Sequence, residues 1–142
     1  MELKKLSSEE FKFCISRMPR SCVDIVFVYR DKLLLLCRKI EPDNGNWALP
    51  GGSVLKGETT EQAAIRKAKE ETGIIIDEKS LKLVCVVTAF LSMRQDICIT
   101  YKVLLNEQPS IILDYQHSKH CWFKKLPKNI NPIIKRQVNG MV

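Results

Sequence analysis

GNWALPGGSVLKGETTEQAAIRKAKEETGI, residues 45–74, is the stretch on which the reading of the fold turns. Five of the six glycines, Gly45, Gly51, Gly52, Gly57 and Gly73, fall inside it. Glycine is used where backbone turns sharply or approaches a ligand closely. The second half predicts a helix over 60–72. Thr59 is its N-cap, with Gln62 as capping-box partner, and Gly73 is its stop. Ala63, Ala64 and Ala68 give it small residues. Glu58, Glu61, Glu70 and Glu71 belong to the same unit, and Glu70 follows Arg66 by one helical turn on one face. Clustered carboxylates beside a glycine-lined loop suit a hard divalent cation such as Mg2+, with a phosphate-bearing ligand completing its shell. Spacing alone leaves a second reading open, because a Glu-rich helix is usually a solvated face.

Outward from this unit, Ser7-Ser8-Glu9-Glu10 opens a helix on which Phe11, Cys14, Ile15 and Met18 recur at helical spacing until Pro19. Strands are expected at 22–29 and 33–38 around a short polar turn. A loop at 41–45 and a short extended piece at 47–49 lead into Pro50-Gly51-Gly52. Beyond the helix come strands at 81–92, 97–105 and 120–123, and a last helix at 131–138. That alternation predicts a mixed α/β layer fold.

The length of 142 residues predicts one domain, 1–142, and 45% hydrophobic with 27% charged residues is globular composition. The net charge of +7 invites a nucleic-acid reading, yet 118–142 alone carries six basic and no acidic residues. The first 117 residues hold 17 basic and 16 acidic groups, a net of +1, so the body is nearly neutral. Cys14, Cys22, Cys37, Cys85, Cys98 and Cys121 include no C-x-x-C pair and mostly sit in apolar stretches, which reads as buried free thiols. No apolar signal region opens the chain and no apolar run is long enough to span a membrane. A cytoplasmic location is the expectation.

Gly52, Glu58, Arg66, Ala68, Glu70, Glu71, Gly73 and Ile74 stand at the spacing G-x5-E-x7-R-x-U-x-E-E-x-G-U, where U is bulky and apolar. This resembles the box of the Nudix hydrolases. The lead-in Gly45-Asn46-Trp47-Ala48-Leu49-Pro50-Gly51 is similar as well. The resemblance implies an α/β/α sandwich around a mixed β-sheet. One position departs: the Glu that follows the Arg in the family is Lys67 here. Lys67 lies three and four residues before Glu70 and Glu71, within pairing reach of both. It competes there with Mg2+, so either fewer metals are used or the chemistry is impaired.

The GDP-mannose mannosyl hydrolases also lack that Glu and work with one Mg2+. The resemblance to them extends, less specifically, to Leu6–Phe11, Ser21–Asp24, Leu33–Arg38 and Leu113–His117. It implies that water attacks the anomeric carbon and GDP leaves. The implied metal ligands are the Gly51 carbonyl, Glu71 and Gln116, with Glu70 as an additional candidate; Mn2+ is an alternative ion. His117 is the implied general base, its ordinary pKa of about 6.5 suiting the role. Arg66 would orient the helix carboxylates or contact a phosphate. Asp24 and Arg38 would contact nucleotide or sugar, and Phe11 would stack on the base or serve as a core residue of its helix. His120 is read as structural, beginning a strand. Ser53 stands where those hydrolases often carry Arg, and Glu70-Glu71 are kept together as in ordinary pyrophosphohydrolases.

Three readings follow. The first is an Mg2+-dependent hydrolase of a nucleoside diphosphate sugar such as GDP-mannose. The second is a pyrophosphohydrolase cutting the diphosphate of an NTP or another nucleoside diphosphate derivative. The third is a module that binds nucleotide or RNA without turnover. A nucleotide-type small molecule is the expected partner, with neither membrane nor nucleic acid, and a homodimer is the oligomer that the resemblance implies.

Overall fold

The computed structural model describes residues 2–41 and 44–141, so positions 42 and 43 of the expected loop lie outside the described residues. Helix α1 covers Ser8–Arg17. Its capping box is complete: Ser7 Oγ accepts the Glu10 N–H at 3.2 Å and Glu10 accepts the Ser7 N–H at 2.8 Å. No residue of α1 is buried; Phe11, Cys14 and Ile15 are half-buried and Met18 is exposed. The apolar spacing therefore marks a face laid along a groove, not a core face.

Among the described residues seven strands form one mixed sheet: β1 Arg20–Tyr29, β2 Lys32–Arg38, β3 Trp47–Ala48, β4 Gly51–Ser53, β5 Lys82–Phe90, β6 Gln95–Leu105 and β7 His117–Phe123. The order is β3-β2-β1-β6-β5, with β4 paired to β1 and β7 to β2. β1 and β6 run parallel, while β5 pairs β6 and β7 pairs β2 antiparallel. The β4 strand was not expected. It is three residues long and two of them are glycines, which carry almost no strand signal. β7 starts at His117, three residues before the expected 120, so His120 is an exposed mid-strand residue and does not begin the strand.

Helix α2 spans Thr60–Thr72, as its caps predict: Thr59 and Gln62 form the capping box and Gly73 closes it at φ 75°. Ala63, Ala64 and Ala68, all fully buried, let α2 lie close on Val23, Ile25 and Phe27 of β1 and Leu34 and Leu36 of β2. The alternate side chains, Val26, Val28, Leu33 and Leu35, face the other way and meet Ile134 and Val138. Helix α3, Pro132–Gln137, supplies that second layer; Asn131 caps it and Pro132 sits in its first turn. The period of two in β1 and β2 thus builds the α/β/α sandwich.

On the α3 side that alternation changes character near the start of β1. The parallel register sets Arg20 opposite Asp96, Cys22 opposite Cys98 and Asp24 opposite Thr100. Gln137 of α3 donates from Nε2 to Asp24 Oδ2 at 2.6 Å and to Thr100 Oγ1 at 3.0 Å. This polar ladder is the floor of a cleft. Among the described residues no helix is long and apolar enough to cross a membrane.

Candidate active site

The cleft has a volume of about 470 Å³. One wall is the β4 strand with the outer face of α2, and the other is β5, the β5–β6 turn and the start of α3.

Arg66 organises the α2 wall. Its Nε and Nη2 donate to the two oxygens of Glu58 at 3.0 and 2.6 Å. Nη2 also donates to the Ser53 carbonyl at 3.0 Å, and Nη1 reaches both oxygens of Glu70 at 3.3 Å. Of the two expected roles, orienting the carboxylates is the one these contacts describe. Glu58 is held below the usual carboxylate range: burial works against ionisation, but Arg66 and the Leu55 N–H outweigh it.

Lys67 pairs with both acids that it was expected to engage. Its Nζ is 2.9 Å from Glu71 Oε1 and 3.3 Å from Glu70 Oε2. Gly52 makes room for it, since a Cβ there would lie 2.7 Å from Lys67 Cε. Glu71 is buried, accepts the Gly51 N–H at 3.0 Å, and is pushed above its ordinary pKa by burial that Lys67 only partly offsets. Glu70 is more open, 35% exposed, and pairs also with Lys5 at 3.5 Å. Its pKa is lowered: desolvation opposes this, and Lys67 and Arg66 win.

Gly51 lies on β4 against Asp24, so closely that a Cβ would strike Val23 O and Asp24 Oδ1. Asp24 is shut in on most sides and open to the cleft. Desolvation pushes its pKa up to about 6, against the Gln137 hydrogen bond and the charge of Arg20, with Glu71 adding to the rise. Arg38, at the end of β2, and Phe11 both line the cleft. Gln116 lines it too, and its Nε2 donates to the Tyr115 hydroxyl at 3.2 Å.

His117 is brought to the carboxylates but not to the open cleft wall. Its ring is buried, and Nδ1 lies 2.7 Å from Asp114 Oδ1. An ionised carboxylate accepts only, which selects the tautomer with the proton on Nδ1. Ligand-type atoms of Glu71, Asp114 and His117 lie within 4.8 Å of one another. His117 is thus a buried residue, not one of a surface loop.

Sequence reasoning missed several cleft residues. Arg20 donates to Asp96 through Nε at 3.0 Å and Nη2 at 2.8 Å, and Arg94 joins the same acid at 3.1 Å. Arg20 Nη1 donates to Ser53 Oγ at 3.2 Å. Cys22 and Cys98 are free thiols with sulfurs 3.2 Å apart on the cleft floor. The available signal was the period of two that puts Arg20, Cys22 and Asp24 on one strand face. Their partners, 76 residues away for Arg20 and Cys22, were beyond local pattern.

The donors around Glu71 are the Asp114 carboxylate and a ring nitrogen of His117, and Glu70 and Glu71 already converge on one cation, the Lys67 ammonium. Oxygen donors converging on positive charge fit a hard divalent ion.

Comparison with known proteins agrees with this geometry. The NUDIX domain model matches residues 18–126. An ADP-ribose pyrophosphatase of Methanocaldococcus jannaschii is 42% identical over 79 residues, 56% of this chain but 46% of that protein, so the chain matches less than half of that relative. The low-salt glycan biosynthesis protein Agl8 of Haloferax volcanii is 25% identical over 96% of this chain and 91% of its own length. A MutT NUDIX hydrolase from Burkholderia pseudomallei superposes with a TM-score of 0.76 at 28% identity, over 87% of this chain and all of that one. With the box residues assembled on α2 and β4 and the domain match spanning most of the sequence, the chain belongs to the Nudix hydrolase family.

Proposed function

We propose that this protein hydrolyses a nucleoside diphosphate sugar, with a divalent ion, Mg2+ or Mn2+, as cofactor. One observation carries the reading: Asp114 and His117 lie against Glu71 beneath the cleft while Gln116 lines the cleft beside Glu70 and Glu71, so the Gln-His segment and the box carboxylates converge. Glu70, Glu71, the Gly51 carbonyl and Gln116 would hold the ion. When bound, it neutralises the leaving diphosphate and lowers the barrier to its departure.

The chain's own residues do the rest. Arg66 keeps Glu58 and Glu70 in place through four donor contacts and is itself anchored by a fifth to the Ser53 carbonyl, so little reorganisation is needed on binding. Asp24 and Arg38 contact nucleotide or sugar, and Phe11 stacks at the cleft mouth. For attack at the anomeric carbon His117 is the base. Its Asp114 bond keeps the proton on Nδ1 and leaves Nε2 as acceptor.

A second reading, attack at phosphorus, has specific support. Glu70 and Glu71 are both retained, and the M. jannaschii relative is named for cleaving a diphosphate bond of ADP-ribose. There Glu70, the more exposed of the two acids, is the base. The test is a product assay with Mg2+ over GDP-mannose, ADP-ribose, other nucleotide sugars and NTPs. Free sugar with nucleoside diphosphate supports the first reading, together with loss of turnover in His117→Asn. Sugar phosphate with nucleoside monophosphate, lost in Glu70→Gln, replaces it by the second. No product across the panel leaves only the binding module.

A further inference from the structure

The cations lining the cleft are not equally occupied. Lys67 is held by two carboxylates, and each nitrogen of the Arg66 guanidinium already donates to protein oxygens. At the Asp96 end the balance differs. Two arginines share one acid, so Arg20, Arg94 and Asp96 sum to +1. Asp96 is 3% exposed, has both oxygens engaged and carries a single negative charge, so one of the two positive charges stays uncompensated. Among the described residues Arg94 donates only through Nε, so its two terminal nitrogens have no partner there. Arg20 spends Nη1 on a neutral hydroxyl, Ser53 Oγ, which an anion outcompetes.

We infer that Arg94 and Arg20, braced by Asp96 and completed by the Ser53 hydroxyl, form an oxyanion subsite that takes a phosphate group of the substrate. The subsite is prearranged. Asp96 fixes Arg20 by a two-point contact and fixes Arg94 at Nε, so the remaining donors keep their directions without a ligand. It also adjoins the carboxylate cluster. Ser53 bonds both guanidinium groups, Arg20 through its hydroxyl and Arg66 through its carbonyl. A diphosphate therefore spans the two: one phosphate faces the box carboxylates, the other faces Arg20 and Arg94. The inference rests on the diphosphate-substrate reading and adds which residues take the second phosphate.

The test uses the full chain in EDTA, with inorganic pyrophosphate as the probe, by isothermal titration calorimetry. Without divalent ion the carboxylate end contributes no attraction, so binding reports the guanidinium end. Arg94→Gln leaves Asp96 paired with Arg20 and keeps the fold, which far-UV circular dichroism checks. Its affinity for pyrophosphate is expected to fall tenfold or more. Ser53→Ala weakens binding less, and Arg94→Lys recovers only part, because it restores charge without the fork. With Mg2+ and a turned-over substrate, Arg94→Gln raises KM more than it lowers kcat. Unchanged pyrophosphate affinity in Arg94→Gln overturns the inference, as does an unchanged KM in an active enzyme. Pyrophosphate binding that depends on Arg94 in a protein with no hydrolytic product sinks the proposed function and leaves the subsite standing.

Discussion

Asp24→Asn should make the folded protein more stable at neutral pH and remove a pH dependence that the wild type carries. Burial raises the Asp24 pKa from 3.8 to about 6. A carboxyl whose pKa is higher folded than unfolded binds its proton more tightly in the native state. Its protonated form costs nothing below about pH 4. The penalty for ionising it in place grows between about pH 4 and 6 and is complete above that. At 1.36 kcal/mol per tenfold change, the interval corresponds to roughly 3 kcal/mol at pH 7. Asn keeps a carbonyl for the Gln137 amide and carries no charge, so it removes most of that penalty. For a chain of this size, about 3 kcal/mol is roughly 10 °C in Tm. Thermal unfolding followed by circular dichroism from pH 4 to 7.5 measures it. The two proteins should coincide near pH 4 and diverge as pH rises, with the variant higher. A variant that is less stable at pH 7, or an offset that does not change with pH, refutes the argument that desolvation dominates at this site. Turnover by the same variant is a separate measurement, since Asp24 faces the cleft.

Replacing Lys67 with Glu removes the cation that bridges Glu70 and Glu71 and adds an acid beside them. Mn2+ titration followed by electron paramagnetic resonance should show affinity at least tenfold tighter or an added site, and unchanged binding would show that Lys67 does not compete with metal. Arg66→Lys keeps the charge but cannot span both Glu58 oxygens; a loss of about 2 kcal/mol in urea unfolding is expected, with a fall in kcat. Gly51→Ala drives a methyl into the Val23 carbonyl and the Asp24 carboxylate, so it should destabilise by about 1–3 kcal/mol, and wild-type stability would show that β4 can withdraw from β1.

Local pattern determined a definite part of this protein. The capping box of Thr59 and Gln62, the buried alanines and the Gly73 stop delimited α2 to the residue, because cap chemistry and helical period act within a few positions. The same spacing set Arg66 one turn from Glu70 and brought Lys67 to both Glu70 and Glu71, as their contacts bear out. The alternation in β1 and β2 divided the core between α2 and α3. Tertiary structure decided what lies between those elements. β4 exists because β1 offers it a partner, not because Gly51-Gly52-Ser53 prefers a strand. His117 became a buried residue paired with Asp114 because β7 begins there and folds along β2. Arg20 met Asp96 through a parallel register that no local period encodes. A side chain's direction follows from its own neighbours in sequence, whereas its partner and its pKa follow from which strand the chain lays beside it.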